Sequence, residues 1–171
     1  MEKTLILLKP DAVQRQITGE IITRFEKTGL KIVGIKMVSP DRDHYHEHYE
    51  GISKMISRRG EEAFESTLKA MQEGPVIAIV LEGIEAISIV RKIVGTTEPK
   101  EANPGTIRGD YSHISFEYSK KVNSGIPNLI HASGDPVEAE QEIKHWFSKN
   151  ELFEYSTVHE YFTHVKTESK K

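Results

Sequence analysis

The histidine at position 131 has the most distinctive setting of any reactive side chain in this sequence. It ends the apolar run NLIH at 128–131, with Asn128 three residues before it. Asp135 and Pro136 then have the residue types of a helix N-cap and first helical position. An imidazole is a competent nucleophile at neutral pH because its nitrogen lone pair is available without removing a hydroxyl proton. His131 is therefore the candidate nucleophile.

A second histidine pattern lies near the first third of the chain. His44, His46 and His48 are close together, and His44 and His48, four residues apart, could share a helix face as metal ligands. No glutamate follows His44 in an HExxH arrangement. The pattern therefore favours a solvated helix face over a metal site.

Composition excludes several classes of protein. The net charge of -3 and the pI near 6.3 provide no overall attraction to nucleic acid or to an anionic membrane. The absence of cysteine excludes disulfides and thiol chemistry, and it suits a reducing compartment. The first apolar run stops at Lys9 and Pro10, too early for a signal sequence or a membrane span. We expect a cytoplasmic protein that binds no membrane and no specific nucleic acid.

The strands and helices that must position His131 can be predicted from the spacing of apolar residues and from the Gly and Pro residues that interrupt it. Residues 4–8, 30–38, 76–81 and 128–133 have the apolar patterns of strands. Helical patterns occupy residues 19–28, 41–49, 61–71, 84–94 and 137–147. The segments 50–60 and 95–110 contain too much Gly, Ser or Pro for one regular element, and a loop as long as 95–110 is usually functional.

This order of elements indicates an α+β fold. It predicts a ferredoxin-like split βαβ sandwich, a four-stranded antiparallel sheet with helices, to which further helices and a C-terminal extension are added. The length of 171 residues suits one domain. We expect that domain to cover residues 1–165, and we expect the polar residues 166–171 to form a disordered tail.

Two common nucleotide-binding signatures are absent from the sequence. It contains no GxxxxGK[ST] loop, and it lacks the glycine-rich loop and catalytic Asp motifs of protein kinases. If this protein binds a nucleotide, it therefore does so without a Walker loop and without the protein-kinase motifs.

Successive motifs along nearly the whole chain resemble those of nucleoside diphosphate kinases, in that family's order. No single motif is decisive, but PGTIRGD together with NLIHAS is a specific combination. The matching segments are LKPDAVQR at 8–15, GEII at 19–22, RFE at 24–26, HY at 48–49, GPV at 74–76, LEG at 81–83, PGTIRGD at 104–110 and NLIHAS at 128–133.

The resemblance implies a ping-pong kinase. The γ-phosphate of a nucleoside triphosphate, typically ATP, would pass to His131 and then to a nucleoside diphosphate. Such a transfer needs positioned cations and donors more than acid-base catalysis, because negative charge spreads over the phosphoryl oxygens. The resemblance also implies a Mg²⁺ ion held mainly by nucleotide phosphates and water rather than by direct protein ligands. It further implies a homohexamer or homotetramer.

The same resemblance assigns a role to each matching residue. Glu142 would orient the nucleophilic ring, and Tyr49 and Ser133 would lie near it. The nucleotide phosphates would be bound by Lys9, Arg91, Arg108 and Thr97, and Asn128 would bind the ribose. On spacing alone, Arg91 would be an exposed helix charge and Glu142 a surface residue favoured by the helix dipole.

The sequence departs from the family pattern in three places. Gly134 separates Ser133 from Asp135, and a left-handed glycine there could move the Asp135 carboxylate. Residues 51–62 replace the family's Arg-Pro-Phe-Phe segment, so we interpret Phe64 as the residue that stacks on the base, with Arg58 or Arg59 beside it.

The third departure is the long segment 111–127. Ile114, Phe116 and Tyr118 alternate with polar residues, and Asn-Ser-Gly at 123–125 is a turn signal. We expect a hairpin or an ordered flap that contacts a neighbouring subunit or the rim of the site.

Two other functions remain open at this level. The Gly134 departure fits a catalytically weak homologue that binds nucleotides or regulates. A ferredoxin-like module that senses small molecules would explain the fold, but it would not explain the set of basic residues with a histidine.

Overall fold

The central sheet contains four antiparallel strands in the order β2-β3-β1-β4. The computed structural model describes residues 1–163. The strands are β1 (Glu2–Leu8), β2 (Lys31–Val38), β3 (Val76–Gly83) and β4 (Ile130–Ala132). β4 pairs with β1 so that His131 lies opposite Leu7. The predicted α+β fold with a four-stranded antiparallel sheet is confirmed.

Helices cover both faces of this sheet and fill the connections. The first half contains α1 (Pro10–Gln14), α2 (Thr18–Glu26), α3 (Arg42–His46), a π-helix (Glu47–Ile52), α4 (Met55–Arg59) and α5 (Glu61–Met71). The second half contains α6 (Ala86–Val94), α7 (Ile107–Tyr111), α8 (Phe116–Lys121), α9 (Pro136–Trp146) and α10 (Glu160–Thr163), with 3₁₀ turns at Pro99–Glu101 and Lys149–Glu151.

β1 separates two hydrophobic cores because successive side chains of a strand point to opposite faces. Ile6 and Leu8 pack into one core, and Leu5 and Leu7 pack into the other. All four side chains are fully buried. Each contributes about 1.5 to 3 kcal/mol relative to an exposed position. The first core includes residues of α2 and α6, and the second includes residues of α5 and α9.

The segments predicted to lack regular structure contain short helices. Within 50–60, α4 lies between Lys54 and Gly60, which have φ of 52° and 87°. Glycine tolerates such a left-handed backbone, whereas lysine rarely adopts it. Within 95–110, a 3₁₀ turn and α7 occur, and Thr106 caps α7 by accepting from the Gly109 N–H. Neither segment forms one regular element, as predicted, but the interpretation of both as loops missed these short helices.

The prediction of a hairpin in 111–127 was also wrong. Ser115 accepts a hydrogen bond from the Tyr118 N–H, which caps the start of α8. Phe116 and Tyr118 therefore lie in the first turn of a helix, and Ile114 precedes its N-cap, so none of the three lies on a strand. The segment is nevertheless ordered, as the flap interpretation requires.

Among residues 1–163, no helix has the length and the apolar content required to cross a membrane. The predicted tail at 166–171 and the end of the predicted domain at 165 lie outside the described residues.

Candidate active site

A cleft of about 390 Å³ opens beside the ends of β1 and β4. Its walls come from α4, from the loop after α6 and from the end of the α8 to β4 connection. Seven of the predicted site residues line it, namely Lys9, Tyr49, Arg91, Thr97, Arg108, Asn128 and His131.

His131 is held by two side chains beneath the cleft. Its Nε2 lies 2.8 Å from Oε1 of Glu142, and the Ser133 hydroxyl donates to Oε2 of Glu142 at 2.6 Å. Glu142 is fully buried, so the prediction from spacing of a surface carboxylate was wrong. When Nε2 carries the ring proton it donates to this carboxyl oxygen, and in that tautomer Nδ1 keeps the lone pair that a nucleophile needs.

Ser133 also joins this group to the central strand. The Leu5 N–H donates to the Ser133 hydroxyl oxygen at 3.1 Å, and the Ser133 N–H donates to the Leu5 carbonyl at 3.1 Å. The carboxylate that orients His131 is thus fixed to β1 through Ser133.

A buried aromatic layer supports the other side of the His131 ring. His48 packs edge-to-face against it with 4.6 Å between centroids, and Trp146 Nε1 donates to His48 Nδ1 at 3.2 Å. Burial, together with the nearby His131, holds the pKa of His48 well below its usual range. The neutral His48 ring therefore adds no positive charge beside the nucleophile.

This position of His48 corrects the prediction of a solvated histidine face. His48 is fully buried, and His44 instead stacks on His145 with 3.9 Å between centroids. In residues 1–163 the only group of three metal-ligating side chains is His48, His131 and Glu142, whose donor atoms lie within 4.8 Å of one another. His131 and Glu142 already share a hydrogen bond there.

Tyr49 presents a hydroxyl to the site. The side chain is buried, and the hydroxyl has no hydrogen-bond partner among residues 1–163. Burial raises the pKa of Tyr49, so the hydroxyl keeps its proton. It remains available as a donor to a group bound beside His131.

Lys9 and Asn128 form the centre of the polar surface of the cleft. Lys9 Nζ donates to Asn128 Oδ1 at 2.8 Å, and Asn128 Nδ2 donates to the Thr97 carbonyl at 2.9 Å. Burial lowers the pKa of Lys9 to about 8, an effect opposed by Asp11 and reinforced by Arg108. Lys9 is therefore a cation at neutral pH whose charge is easily lost.

Arg108 holds three carbonyls from different parts of the site. It donates to Asn128 O at 3.1 Å, to Gly95 O at 3.0 Å and to Ile130 O. Burial lowers its pKa to about 10, with a further contribution from Arg91, so it stays charged at neutral pH. We call Lys9, Arg108, Asn128, His131 and Glu142 the floor of the cleft.

Asp11 is a site residue whose role sequence reasoning missed. Its Oδ2 accepts from the Leu129 N–H at 2.9 Å, and the Leu129 carbonyl accepts from the Lys9 N–H at 2.9 Å. Leu129 has a φ of 70°, a strained value for a branched side chain. Asp11 thus stabilises the backbone just before the nucleophile, and its place in the KPD motif was the available signal.

Gly134 does not disturb this arrangement. Its φ is not left-handed, so the redirected turn that the sequence left open does not occur. The Gly134 N–H donates to Glu138, and an added Cβ would approach Glu138 Oε2 to 2.5 Å. Asp135 caps α9 by accepting from the N–H groups of Val137 and Glu138 at 2.9 Å each.

Exposed arginines cross the opening of the cleft. Arg58 pairs with Glu138 at 3.3 Å, and Arg59 lies 3.4 Å from the Thr97 hydroxyl and stacks over the Phe116 ring at 5.6 Å. Arg91 is exposed on α6 and also lines the cleft. We call Arg58, Arg59 and Phe116 the rim of the cleft.

Phe64 does not lie in the cleft. It is 2% exposed and packs with Leu68 and Met71 in the core beneath α5. The interpretation of Phe64 as the residue that stacks on a base was therefore wrong, because its ring has no free face. The spacing of 64, 68 and 71 is that of a buried helix face and was the signal that distinguishes it.

Comparison with known proteins gives consistent similarities. A family model described as nucleoside diphosphate kinase matches residues 2–152. A nucleoside diphosphate kinase of Thermococcus kodakarensis is 46% identical over 171 residues, covering 100% of this chain and 91% of the relative. A solved transition-state mimic of the Borrelia burgdorferi enzyme with bound vanadate and ADP is 43% identical, with a TM-score of 0.90, covering 93% of this chain and 94% of that one. A Halobacterium salinarum nucleoside diphosphate kinase in complex with CDP is 35% identical, with a TM-score of 0.81, covering 96% and 99%.

Proposed function

The chain belongs to the nucleoside diphosphate kinase family, and we propose that it transfers the γ-phosphate of a nucleoside triphosphate to a nucleoside diphosphate through a phosphohistidine at His131. It is an enzyme of the phosphotransferase class. The observation that carries the assignment of the nucleophile is the hydrogen bond between His131 and the buried Glu142 at 2.8 Å. That bond leaves one ring nitrogen with its lone pair beside a cleft lined by cations.

The first half of the reaction is a displacement at the γ-phosphorus. Nδ1 of His131 forms a bond to the phosphorus, and the bond from that phosphorus to the bridging oxygen breaks, so the nucleoside diphosphate leaves with the electron pair. In the second half, a terminal phosphate oxygen of another nucleoside diphosphate attacks the phosphohistidine, and Nδ1 regains its lone pair. Glu142 holds the proton on Nε2 throughout and stabilises the positive charge that the ring acquires.

The cationic side chains stabilise the transferring group. Lys9, Arg91 and Arg108 provide the positive charge that phosphoryl transfer needs, and the hydroxyls of Tyr49 and Thr97 are candidate donors to phosphate oxygens. We propose that the Asn128 side chain binds the ribose hydroxyls. The vanadate and ADP bound to the Borrelia burgdorferi relative and the CDP bound to the Halobacterium salinarum relative support a nucleotide in this cleft.

Nucleoside diphosphate kinases need a divalent cation, and we propose Mg²⁺ for this chain. Among the described residues, the carboxylate that lines the cleft is Glu138, which already accepts from Arg58 and from the Gly134 N–H. This donor set fits an ion held by nucleotide phosphates rather than by a protein cage. When bound, the ion would neutralise part of the phosphate charge.

A homohexamer or homotetramer is proposed for the assembly. β2 is an edge strand, and its Ile35 and Met37 are 52% and 57% exposed, which supports burial against another subunit. A cytoplasmic location is proposed because nucleoside triphosphates are available there. One domain over residues 1–165 stays a prediction.

Labelling with γ-³²P ATP tests the nucleophile. The wild type should acquire label that is stable in alkali and lost in acid, as a phosphohistidine is, and His131→Ala should acquire none. His113→Ala, a change at an exposed histidine outside the cleft, is the matched control and should label like the wild type. If wild-type protein that binds ATP stayed unlabelled, the catalytically weak alternative would replace the proposal.

A further inference from the structure

The cleft continues into a second cavity with different chemistry. This cavity of about 460 Å³, which we call the annex, lies between α5 and α8. It shares Met55, Arg59, Thr67 and Ile126 with the cleft, so the two spaces adjoin at these side chains. A ligand can therefore extend from the floor of the cleft into the annex.

The two spaces suit opposite ends of an amphiphilic molecule. The cleft is lined by cations that match phosphate, whereas Met55, Ala63, Phe116 and Ile126 give the annex an apolar centre. A nucleotide has this same polarity, with charged phosphates at one end and a planar base at the other. The annex therefore provides an apolar environment for the base of a nucleotide whose phosphates lie in the cleft.

Phe116 presents the open aromatic surface of the annex. Its side chain is 40% exposed, whereas Tyr49, the aromatic residue of the adjoining cleft, is 6% exposed. In the described part of the chain, no other Phe, Tyr or Trp lines either space. An exposed aromatic face beside a nucleotide cleft is a natural stacking platform.

The fold holds this ring in place from both ends of the segment 111–127. The Phe116 N–H donates to Glu98 Oε1 at 2.9 Å, and the Ser112 hydroxyl donates to the Pro127 carbonyl at 2.9 Å. Gly125 packs against α5 so closely that an added Cβ would lie 2.7 Å from the Ser66 carbonyl oxygen. The backbone that carries Phe116 is therefore anchored, while the ring itself keeps an exposed face.

We propose that Phe116 is the platform on which the nucleotide base stacks, and that it takes the role which the sequence suggested for Phe64. This inference rests on the proposed function. The base replaces the Arg59 guanidinium that covers the ring at 5.6 Å, and Arg59 then moves toward the phosphates. Base recognition by stacking tolerates all four bases, as a kinase of many nucleotides requires.

The test compares substrates with and without a base. In the full-length protein, Phe116→Ala should raise the KM for ATP by roughly 10- to 100-fold, the range expected for loss of one stacked base. Phe116→Trp should keep the wild-type KM. Inorganic tripolyphosphate, which has no base, should inhibit wild type and Phe116→Ala with the same inhibition constant. Tyr118→Ala, on the same helix but outside both spaces, is the matched control.

Two results would overturn the inference while leaving the proposed function intact. One is an unchanged KM for ATP in a Phe116→Ala protein that still forms phosphohistidine. The other is an equal loss of affinity for ATP and tripolyphosphate, which would mean that Phe116 acts only by placing Arg59. A wild type that forms no phosphohistidine would instead refute the proposed function.

Discussion

The floor of the cleft is fixed by hydrogen bonds to the backbone and to buried side chains, whereas its rim consists of exposed side chains that bridge separate helices. Glu142 is fully buried, while the Arg58 side chain is 61% exposed. Arg108 in the floor donates to three carbonyls, whereas Arg59 at the rim makes one long contact to Thr97 and a stack on a ring. The difference separates two tasks. Phosphoryl transfer needs preorganised groups, and nucleotides of varied base need an adaptable entrance.

Replacement of Glu142 tests the floor most severely. Glu142→Gln keeps the shape but removes the charge that stabilises the His131 ring, so we expect kcat to fall by roughly 10- to 100-fold, with little change in KM. Steady-state kinetics of purified protein measure both values.

The control for this variant is Glu140→Gln, on the same helix, whose carboxylate is exposed and paired with Lys144. It should retain wild-type kinetics. A Glu142→Gln enzyme with wild-type kcat would show that catalysis does not need the charge of Glu142, and that the activity depends less on the preorganised floor than its geometry indicates.

The pH dependence of kcat/KM tests the charge on Lys9. Because its pKa is lowered to about 8 in the free enzyme, the cation is present below that pH and is lost above it. We expect kcat/KM to fall by up to about tenfold for each pH unit above 8. Arg108, at about 10, and Tyr49, whose pKa is raised, stay protonated in this range.

Lys9→Arg separates the charge of Lys9 from other titrations. Arginine keeps its charge throughout, so the variant should lose the decline near pH 8 even if its overall activity is lower. A decline that persists unchanged in Lys9→Arg would assign it to another group.

The smallest effect is expected at Arg58, the most weakly held side chain of the rim. Arg58→Ala removes an ion pair between the exposed Arg58 and Glu138, and surface pairs of this kind contribute about 0 to 1 kcal/mol. We therefore expect kcat/KM and the equilibrium constant of unfolding each to change by less than about fivefold. Arg42→Ala, which breaks the exposed pair with Glu65, is the comparison remote from the cleft. A hundredfold loss in Arg58→Ala alone would mean that the rim is as preorganised as the floor.

The sequence predicted the elements that carry the floor, because the ends of those elements depend on local rules. The apolar run of β1 ends at Lys9, the run of β4 carries His131, and Asp135 with Pro136 starts α9 as their residue types require. The burial of Glu142 could not be read from spacing, because it depends on the packing of α9 against β1 and against the π-helix. The family resemblance supplied that role.

The rim was predicted poorly for two physical reasons. Phe64 was considered without the helical spacing that links it to Leu68 and Met71, and that spacing places its ring in the core. In the segment 111–127 the alternation of apolar residues suggested a strand, but the Ser115 cap starts a helix. A short exposed segment has little apolar periodicity, so local caps and long-range contacts decide its structure.

The pairing of β4 with β1 sets when the active site can form during synthesis. Lys9 and Asn128 meet across a separation of 119 residues, and β4 is an edge strand of only three residues. The first three strands of the sheet precede β4 in the sequence, so they leave the ribosome before it. Closing so long a loop for so short a strand is entropically costly until α9, which carries Glu142, packs against β1. A nascent chain that ends before Glu142 therefore contains Lys9 without an oriented His131, and the floor of the cleft is complete only once Glu142 has been synthesised.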